Sequence, residues 1–464
     1  MKTKRFFPVF LLVALVMSLW AVPFASADGA ESAPVLPEDP NILAKAALLV
    51  DYNTGEVIYA KNEHEELYPA SLTKIMTALL TLEAIDAGKL TMDQPLTATA
   101  TALEGLSSDG SSAGIKVGET MPVRDLLYCM LVVSANEACD ILAEAVSGSV
   151  QAFVTAMNEK AQALGCENTH FVNPNGLHDP QHYTSAWDMY LITRAAMEYP
   201  DFMTICNTAS TTIPATNLSK ERTLYTTNNL LSNWRVIGYR DTRAQGIKTG
   251  STDAAGYCLV SSAARADRQL ISVVLGAKLM ETEDGDTRVG SFTETSRLFD
   301  WGFDNFTTKT VLTEDEMIQE VPVALSKEAG YVVVHPAYTA EAVLPSDLEP
   351  EALQRTVTLT SDVVDAPVAA GQELGAITLS YDGVDYVTVP LLAVTDVSAS
   401  RFLVVKHALK EFFSRTIVKI LLVVLVVLAV LVFLFGKPLL RRRRYGSARS
   451  KRRHIRSYRG RRFR

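Results

Sequence analysis

A long apolar run near the C-terminus constrains this chain more than any other feature. Ile417 to Gly436 are apolar except for Lys419. A helix of about 20 residues spans the roughly 30 Å hydrocarbon core of a bilayer, and Lys419 is close enough to one end to reach the headgroups. Residues 437–464 carry 14 Lys and Arg and no acid. Because basic segments stay in the cytoplasm, the sequence predicts a transmembrane helix at 417–436 and a cytoplasmic tail at 437–464, with the rest of the chain outside. A buried core helix is the alternative.

The N-terminus has the three parts of a secretory signal. Three basic residues precede an apolar stretch from Phe6 to Val22, and Ala25-Ser26-Ala27 has the small residues of a cleavage site. We therefore predict a signal peptide at 1–27 and an exported protein. A retained N-terminal anchor is the alternative, and the Ala-x-Ala step argues against it.

The charge of the middle of the chain restricts its partners. Apart from residues 1–27 and 437–464, the chain holds 27 basic and 52 acidic residues, so this part is a poor candidate for binding nucleic acid. The basic tail is expected to contact anionic lipid headgroups. The five cysteines match no disulfide framework or zinc spacing, which favours buried free thiols.

Changes in composition and in the pattern of apolar residues along the chain predict its domains. Residues 28–41 are polar and contain three prolines, as in a linker. Residues 42–306 alternate strand and helix patterns, and 307–398 contain short β-rich runs between turns. We expect an α/β (α+β) domain with an antiparallel sheet flanked by helices, then a small all-β domain. A juxtamembrane segment at 399–416 precedes the transmembrane helix.

Ser71 and Lys74 form the first chemical signal. They lie three residues apart in a stretch with the apolar spacing of a helix, so their side chains share one face. A hydroxyl beside an amine is an activated nucleophile if the amine is kept neutral. Alone, this spacing is far more typical of a helix start with a solvated lysine, because Ser-x-x-Lys occurs by chance in most long chains.

Two further motifs follow in order. Ser134-Ala135-Asn136 stands at a predicted helix break, and Lys248-Thr249-Gly250 begins a predicted strand. The set resembles the penicillin-recognising serine enzymes, which share Ser-x-x-Lys, a Ser-x-Asn-like element and Lys-Thr-Gly. Within that group the chain is similar to the low-molecular-mass penicillin-binding proteins, the D-alanyl-D-alanine carboxypeptidases, from about residue 41 into the β-rich region. Gly176-Leu177 and the stretch from His182 to Met189 support the resemblance.

The resemblance implies a serine-type D-Ala-D-Ala carboxypeptidase that trims peptidoglycan pentapeptide stems through an acyl-enzyme. β-Lactam antibiotics would be covalent inhibitors, and neither a cofactor nor a metal is implied. The family's roles transfer to eight residues of this sequence. The catalytic residues are Ser71 as nucleophile, Lys74 as its base and Ser134 as proton relay; the substrate-binding residues are Asn136, Lys248, Thr249, Gly250 and Ser251.

The resemblance also implies finer details of the site. Lys248, together with partial burial, would lower the pKa of Lys74. The backbone N–H groups of Ser71 and Ser251 would form the oxyanion hole. Arg288 is a weaker candidate for contact with the substrate carboxylate, because the segment before it looks longer than is usual for the family.

Three alternatives remain at this point. A class A β-lactamase needs a Glu-x-x-x-Asn element, but Glu167 is followed four residues later by Phe171. A catalytically silent cell-wall-binding scaffold is the alternative from a different class, and the three intact motifs argue against it. A metal site at His170, His178, Asp179 and His182 is disfavoured, since their spacing matches no known binding helix.

We predict a single-pass protein of the bacterial cell membrane with its catalytic domain outside.

Overall fold

The computed structural model describes residues 36–106, 110–281 and 285–442. The predicted signal peptide, most of the linker and the tail beyond residue 442 lie outside the described residues. By its contacts the chain divides into two compact units. The first comprises Met1–Val311 together with Glu341–Leu353, and the second comprises Leu312–Ala340 with Gln354–Arg464. The return of 341–353 to the first unit is not anticipated by the sequence, and the predicted domain bounds stay a prediction.

The helices of the first unit lie mostly in the stretch between its second and seventh strands. They are α1 (Lys74–Asp86), α2 (Val123–Val132), α3 (Asn136–Ser147), α4 (Val150–Ala163), α5 (Ala186–Met197), α6 (Pro200–Cys206) and, near the end of the unit, α7 (Gly290–Asn305). The helix predicted around Ser71 and Lys74 is confirmed, although Ser71 itself lies in a 3-10 turn, Ala70–Thr73, that precedes α1. Thr120–Pro122 form a short strand directly before α2.

A five-stranded antiparallel sheet forms the middle of the first unit. Its strands are β1 (Ala46–Asp51), β2 (Val57–Lys61), β7 (Ala244–Thr252), β8 (Gly256–Arg265) and β9 (Arg268–Ala277), in the order β2-β1-β9-β8-β7. β1 and β2 form an antiparallel hairpin. β7 is an edge strand of this sheet, and it pairs with β8 in register Lys248↔Val260 and Gly250↔Cys258. Smaller strands are β3 (Pro95–Thr97), β4 (Thr120–Pro122), β5 (Ser210–Ile213), β6 (Arg222–Tyr225), β10 (Leu279–Glu281) and β11 (Thr287–Val289).

Burial on both faces of the sheet explains the continuous apolar sequence of β1. Leu48 and Val50 belong to the core formed with helices α1 to α5, whereas Ala47 and Leu49 pack on the other side with Leu298 and other residues of α7. Side chains alternate between the two faces of a strand. A strand covered on both faces therefore reads as one apolar run instead of an alternating one.

The second unit is built on a six-stranded sheet. Two strands that lie mostly in residues of the first unit, β12 (Phe306–Leu312) and β15 (Ala340–Pro345), form a separate two-stranded sheet. The strands of the six-stranded sheet are β13 (Gln319–Ala324), β14 (Tyr331–Pro336), β16 (Gln354–Leu359), β17 (Val364–Asp365), β18 (Glu373–Tyr381) and β19 (Val384–Ala393). The sheet order is β16-β18-β19-β14-β13-β17. The β-rich character predicted for residues 307–398 is confirmed.

Two helices end the described chain. They are α8 (Arg401–Ser414) and α9 (Thr416–Arg442). Within α9, Thr416–Leu434 is long and apolar enough to cross a membrane by length and composition. The predicted span 417–436 lies within this helix.

All five cysteines are free thiols. Cys129, Cys139, Cys206 and Cys258 are buried, and Cys166 is half-buried. The prediction of free thiols is confirmed, with Cys166 less buried than expected. Burial raises the pKa of Cys129, Cys139 and Cys166 to about 12 and that of Cys258 to about 11, because an apolar surrounding disfavours the thiolate.

Candidate active site

The Ser71 hydroxyl and the Lys74 amine are in hydrogen-bond contact. The 3-10 turn carries Ser71, and Lys74 is the first residue of α1. Their three-residue separation brings Lys74 Nζ to 2.9 Å from Ser71 Oγ. Within this turn, the Thr73 hydroxyl is 2.8 Å from His182 Nε2 and donates to the Ala70 carbonyl. The turn that presents the serine is thus held by side-chain as well as main-chain contacts.

Lys74 is completely buried and has two further polar neighbours. Its Nζ lies 2.8 Å from Asn136 Oδ1 and 2.5 Å from the Asn175 carbonyl oxygen. Removal from water lowers the pKa of Lys74, opposed by Cys139 and by the carboxylates of Asp140 and Glu137. Burial therefore favours the neutral amine, the form that accepts a proton.

Lys248 is a second buried lysine close to this group. It is 1% exposed, and its Nζ donates to the Thr249 carbonyl at 2.8 Å. Burial and, next, the positive charge of Lys74 lower the pKa of Lys248 to about 7. The sequence predicts partial burial of Lys74, but both lysines are fully enclosed, and loss of solvation is the principal cause of both shifts.

Ser134, between α2 and α3, has a buried hydroxyl that is free to bind a ligand. Its φ is 66°, a left-handed conformation that is uncommon outside glycine. The residue is 3% exposed, and its Oγ has no hydrogen-bond partner among the residues that the structure describes. A buried hydroxyl without a partner costs free energy, and a bound ligand that forms a hydrogen bond with it would remove that cost. Asn136 follows at the start of α3, where its N–H donates to the Ser111 carbonyl.

Two glycines approach the backbone of the Ser71 turn. A Cβ on Gly250 of β7 would lie 2.8 Å from the Pro69 oxygen and 3.1 Å from the Ser71 nitrogen. A Cβ on Gly176 would lie 1.9 Å from the Ala70 oxygen. Gly176 also has a φ of +84°, which only glycine adopts without strain. The turn therefore contacts bare backbone from two different segments.

A cavity of about 200 Å³ opens over these groups. Among the predicted residues, it is lined by Ser71, Ser134, Thr249, Gly250 and Ser251. The other three, Lys74, Asn136 and Lys248, are buried. The structure thus brings the eight predicted residues together around one cleft.

Further residues at the cleft are not anticipated by the sequence. Ser111 and Thr227 also line the cavity, and the Thr227 hydroxyl is 2.6 Å from that of Thr249. Asn175 contacts Lys74 through its main-chain oxygen, so its side-chain type gives no direct signal. The turn-forming sequence Asn173-Pro174-Asn175-Gly176 is the one available hint.

The weaker candidates have other surroundings. Arg288, on β11, donates to the Gly238 carbonyl at 2.9 Å and lines a neighbouring cavity of about 530 Å³. His182 is engaged with Thr73, and across residues 36–106, 110–281 and 285–442 there is no group of His, Cys, Asp and Glu that could hold a metal ion. Phe171, which stands where a lactamase would need asparagine, is a buried core residue.

Comparison with known proteins assigns the family. Residues 33–279 match the D-alanyl-D-alanine carboxypeptidase family, and residues 306–399 match the C-terminal domain of penicillin-binding protein 5. The chain is 30% identical over 400 residues to D-alanyl-D-alanine carboxypeptidase DacF of Bacillus subtilis, covering 86% of this chain and 96% of that protein. It is 32% identical over 382 residues to DacD of Escherichia coli, covering 79% and 90%.

A solved structure supports the same assignment. Penicillin-binding protein 5 from Haemophilus influenzae aligns with a TM-score of 0.64 at 31% identity, covering 78% of this chain and 99% of that one. Motif order, cleft geometry and the extent of these matches agree. The chain belongs to the D-alanyl-D-alanine carboxypeptidase family.

Proposed function

We propose that this protein is a serine-type D-Ala-D-Ala carboxypeptidase that removes the terminal D-alanine from peptidoglycan pentapeptide stems. The observation that carries the proposal is the Ser71–Lys74 contact, in which burial favours the neutral lysine. Relatives that cover most of the chain are named for this activity. Neither a β-lactamase nor a silent scaffold is favoured, since the serine–lysine pair is intact and the relatives are carboxypeptidases.

Acylation begins with the attack of Ser71 Oγ on the carbonyl carbon of the penultimate D-alanine. Lys74 Nζ takes the serine proton as the C–O bond forms. The C–N bond then breaks, and Ser134 relays the proton held by Lys74 to the amine of the departing D-alanine. Asn136 holds Lys74 and the substrate amide. Water later hydrolyses the ester and regenerates the serine.

Recognition of the substrate uses the edge strand β7. An extended stem peptide can add to this edge of the sheet. Lys248 and Thr249 would receive the terminal carboxylate, which explains why the enzyme removes a C-terminal residue. Gly250 permits close approach of the backbone, and the N–H groups of Ser71 and Ser251 would stabilise the oxyanion. A β-lactam would enter the same cleft and acylate Ser71.

The apolar helix suggests how the enzyme is held beside the wall. We infer that 417–436 crosses the cell membrane once, with the catalytic domain outside and the basic tail at 437–464 on the cytoplasmic headgroups. A signal peptide at 1–27 fits this orientation. The helix Thr416–Leu434 supports the proposal by its length and composition.

A fluorescent penicillin tests the nucleophile. The full chain in detergent should become covalently labelled and should release D-alanine from a pentapeptide. Ser71→Ala should abolish both signals, whereas Ser210→Ala, which changes an exposed serine on β5, should keep them. An unlabelled wild-type protein, or a labelled Ser71→Ala variant, would refute the proposal. Rapid penicillin turnover without D-alanine release would favour a lactamase.

A further inference from the structure

A buried carboxylate lies behind the candidate general base. Asp140 is on α3, one turn after Asn136, and is only 5% exposed. It forms no salt bridge within the described part of the chain. Its two oxygens accept from one donor, Asn175 Nδ2, at 3.4 and 3.3 Å. A buried carboxylate is costly unless it is paired or serves another group.

The partner of Asp140 leads directly to Lys74. The main-chain oxygen of Asn175 lies 2.5 Å from Lys74 Nζ, while the Asn175 side chain also accepts from the Leu177 N–H at 3.0 Å. The next residue, Gly176, packs on the Ala70 backbone. Asp140 therefore holds a turn that contacts the base on one side and the serine turn on the other.

The charges around Asp140 come from several elements. The positive charge of Lys74, on α1, acts on Asp140, and Lys248 of β7 is in turn close enough to Lys74 for the two lysines to interact. On its own helix, Glu137 accepts from Ser112 and loop amides, and Glu144 accepts from the hydroxyls of Thr99 and Thr101. Burial raises the pKa of Asp140 to about 7, opposed by the Asn175 hydrogen bond and the charge of Lys74; Glu144 and Glu137 raise it further.

We propose that Asp140 is a positioning residue for the general base: it holds the Asn175 carbonyl against Lys74 and stabilises the ammonium formed when Ser71 loses its proton. The proposal rests on the proposed function. The Asp140 charge favours the protonated form of Lys74. The carboxylate therefore makes the base stronger, and it also keeps the base protonated to a higher pH.

The rate of acylation by a fluorescent penicillin, measured from pH 5 to 9, tests this role. Asp140→Asn keeps an acceptor for Asn175 but removes the charge. Asp140 carries its charge mainly above its own pKa of about 7, so we expect the acid limb of the profile to move down by up to about one pH unit, the size of shift that one fully ionised neighbour produces. The plateau should fall several-fold, since the lysine becomes a weaker base. Asp140→Ala also removes the hydrogen bond and should lose more of the plateau.

Glu144→Gln is the matched control. It removes a charge from the same helix one turn further on, at a half-exposed position, and should leave the acid limb in place. An unmoved acid limb in folded Asp140→Asn, as judged by circular dichroism and thermal melting, would overturn the proposal. So would equal plateaus for Asp140→Asn and Asp140→Ala. If the wild type fails to acylate at any pH, the proposed function fails instead.

Discussion

The contact between Gly176 and the Ser71 turn allows a sharp prediction. In Gly176→Ala, the added methyl group would lie 1.9 Å from the Ala70 oxygen and 2.5 Å from the Ala70 carbon, where ordinary contacts begin at 3.4 Å. The two backbones must separate by about 1.5 Å to relieve the overlap. Because the Ala70 carbonyl belongs to the turn that carries Ser71, this movement displaces the nucleophile.

The expected loss follows from the size of that displacement. Misplacing a reacting group by about 1 Å costs roughly 100-fold in rate, equivalent to about 2.7 kcal/mol in the barrier. The φ of +84° adds about 1–2 kcal/mol of backbone strain for alanine, which lowers stability. We therefore expect the second-order rate constant for acylation by a fluorescent penicillin to fall at least 100-fold in stopped-flow measurements.

A second glycine separates the steric effect from the backbone strain. Gly165 has a φ of +83°, and no described residue would come within 4 Å of a Cβ added there. Gly165→Ala should therefore lose only the roughly 1–2 kcal/mol of backbone strain, measured by thermal melting, while its acylation rate stays near the wild-type value. A folded Gly176→Ala variant that acylates within about threefold of wild type would refute the reasoning. An equal rate loss in both variants would do the same.

The remaining predictions concern pH. Burial lowers the pKa of His182 to about 4, so between about pH 6.5 and 4 only the unfolded chain gains this proton, and the free energy of unfolding falls by up to about 3 kcal/mol. In urea unfolding at pH 7 and pH 4.5, the loss of stability at the lower pH should be smaller in His182→Gln than in the wild type. An equal loss in both proteins would contradict this. Lys248, with a pKa of about 7, loses its charge as pH rises. An unreactive peptide with a free C-terminal carboxylate should therefore bind more weakly above pH 7, seen as a rise in its inhibition constant, whereas the same peptide with a C-terminal amide should show no such rise. The same pH dependence of the inhibition constant for both peptides would contradict this.

Local patterns in the sequence predict the parts of this fold that depend on neighbouring residues. Short spacings between residues determine the apolar run of β1, the apolar stripe of α1 and each of the three motifs. These features can therefore be predicted from the sequence. The polar hairpin β5–β6, with strands of four residues each, carries no comparable periodicity. The segment 341–353 joins the first unit through contacts made far along the chain, including the bond from the Val343 N–H to Glu56.

The site shows the same division between local and distant information. Ser71 and Lys74 meet because three residues bring them to one helical face. The Asn175 contact uses a main-chain oxygen, which every residue possesses, and Asp140 reaches the site through the side chain of Asn175. Complete burial of Lys74 and Lys248 depends on the packing of several elements, so their loss of solvation is visible only in three dimensions.

The free thiols have a practical consequence for labelling chemistry. A pKa of about 12, as for the half-buried Cys166, leaves about 3,000-fold less thiolate at neutral pH than the pKa of about 8.5 of an exposed cysteine. Maleimide and other thiol reagents attack the thiolate. A single cysteine introduced on the surface, for example at Ser210, should therefore accept a fluorophore selectively without removal of the five natural cysteines.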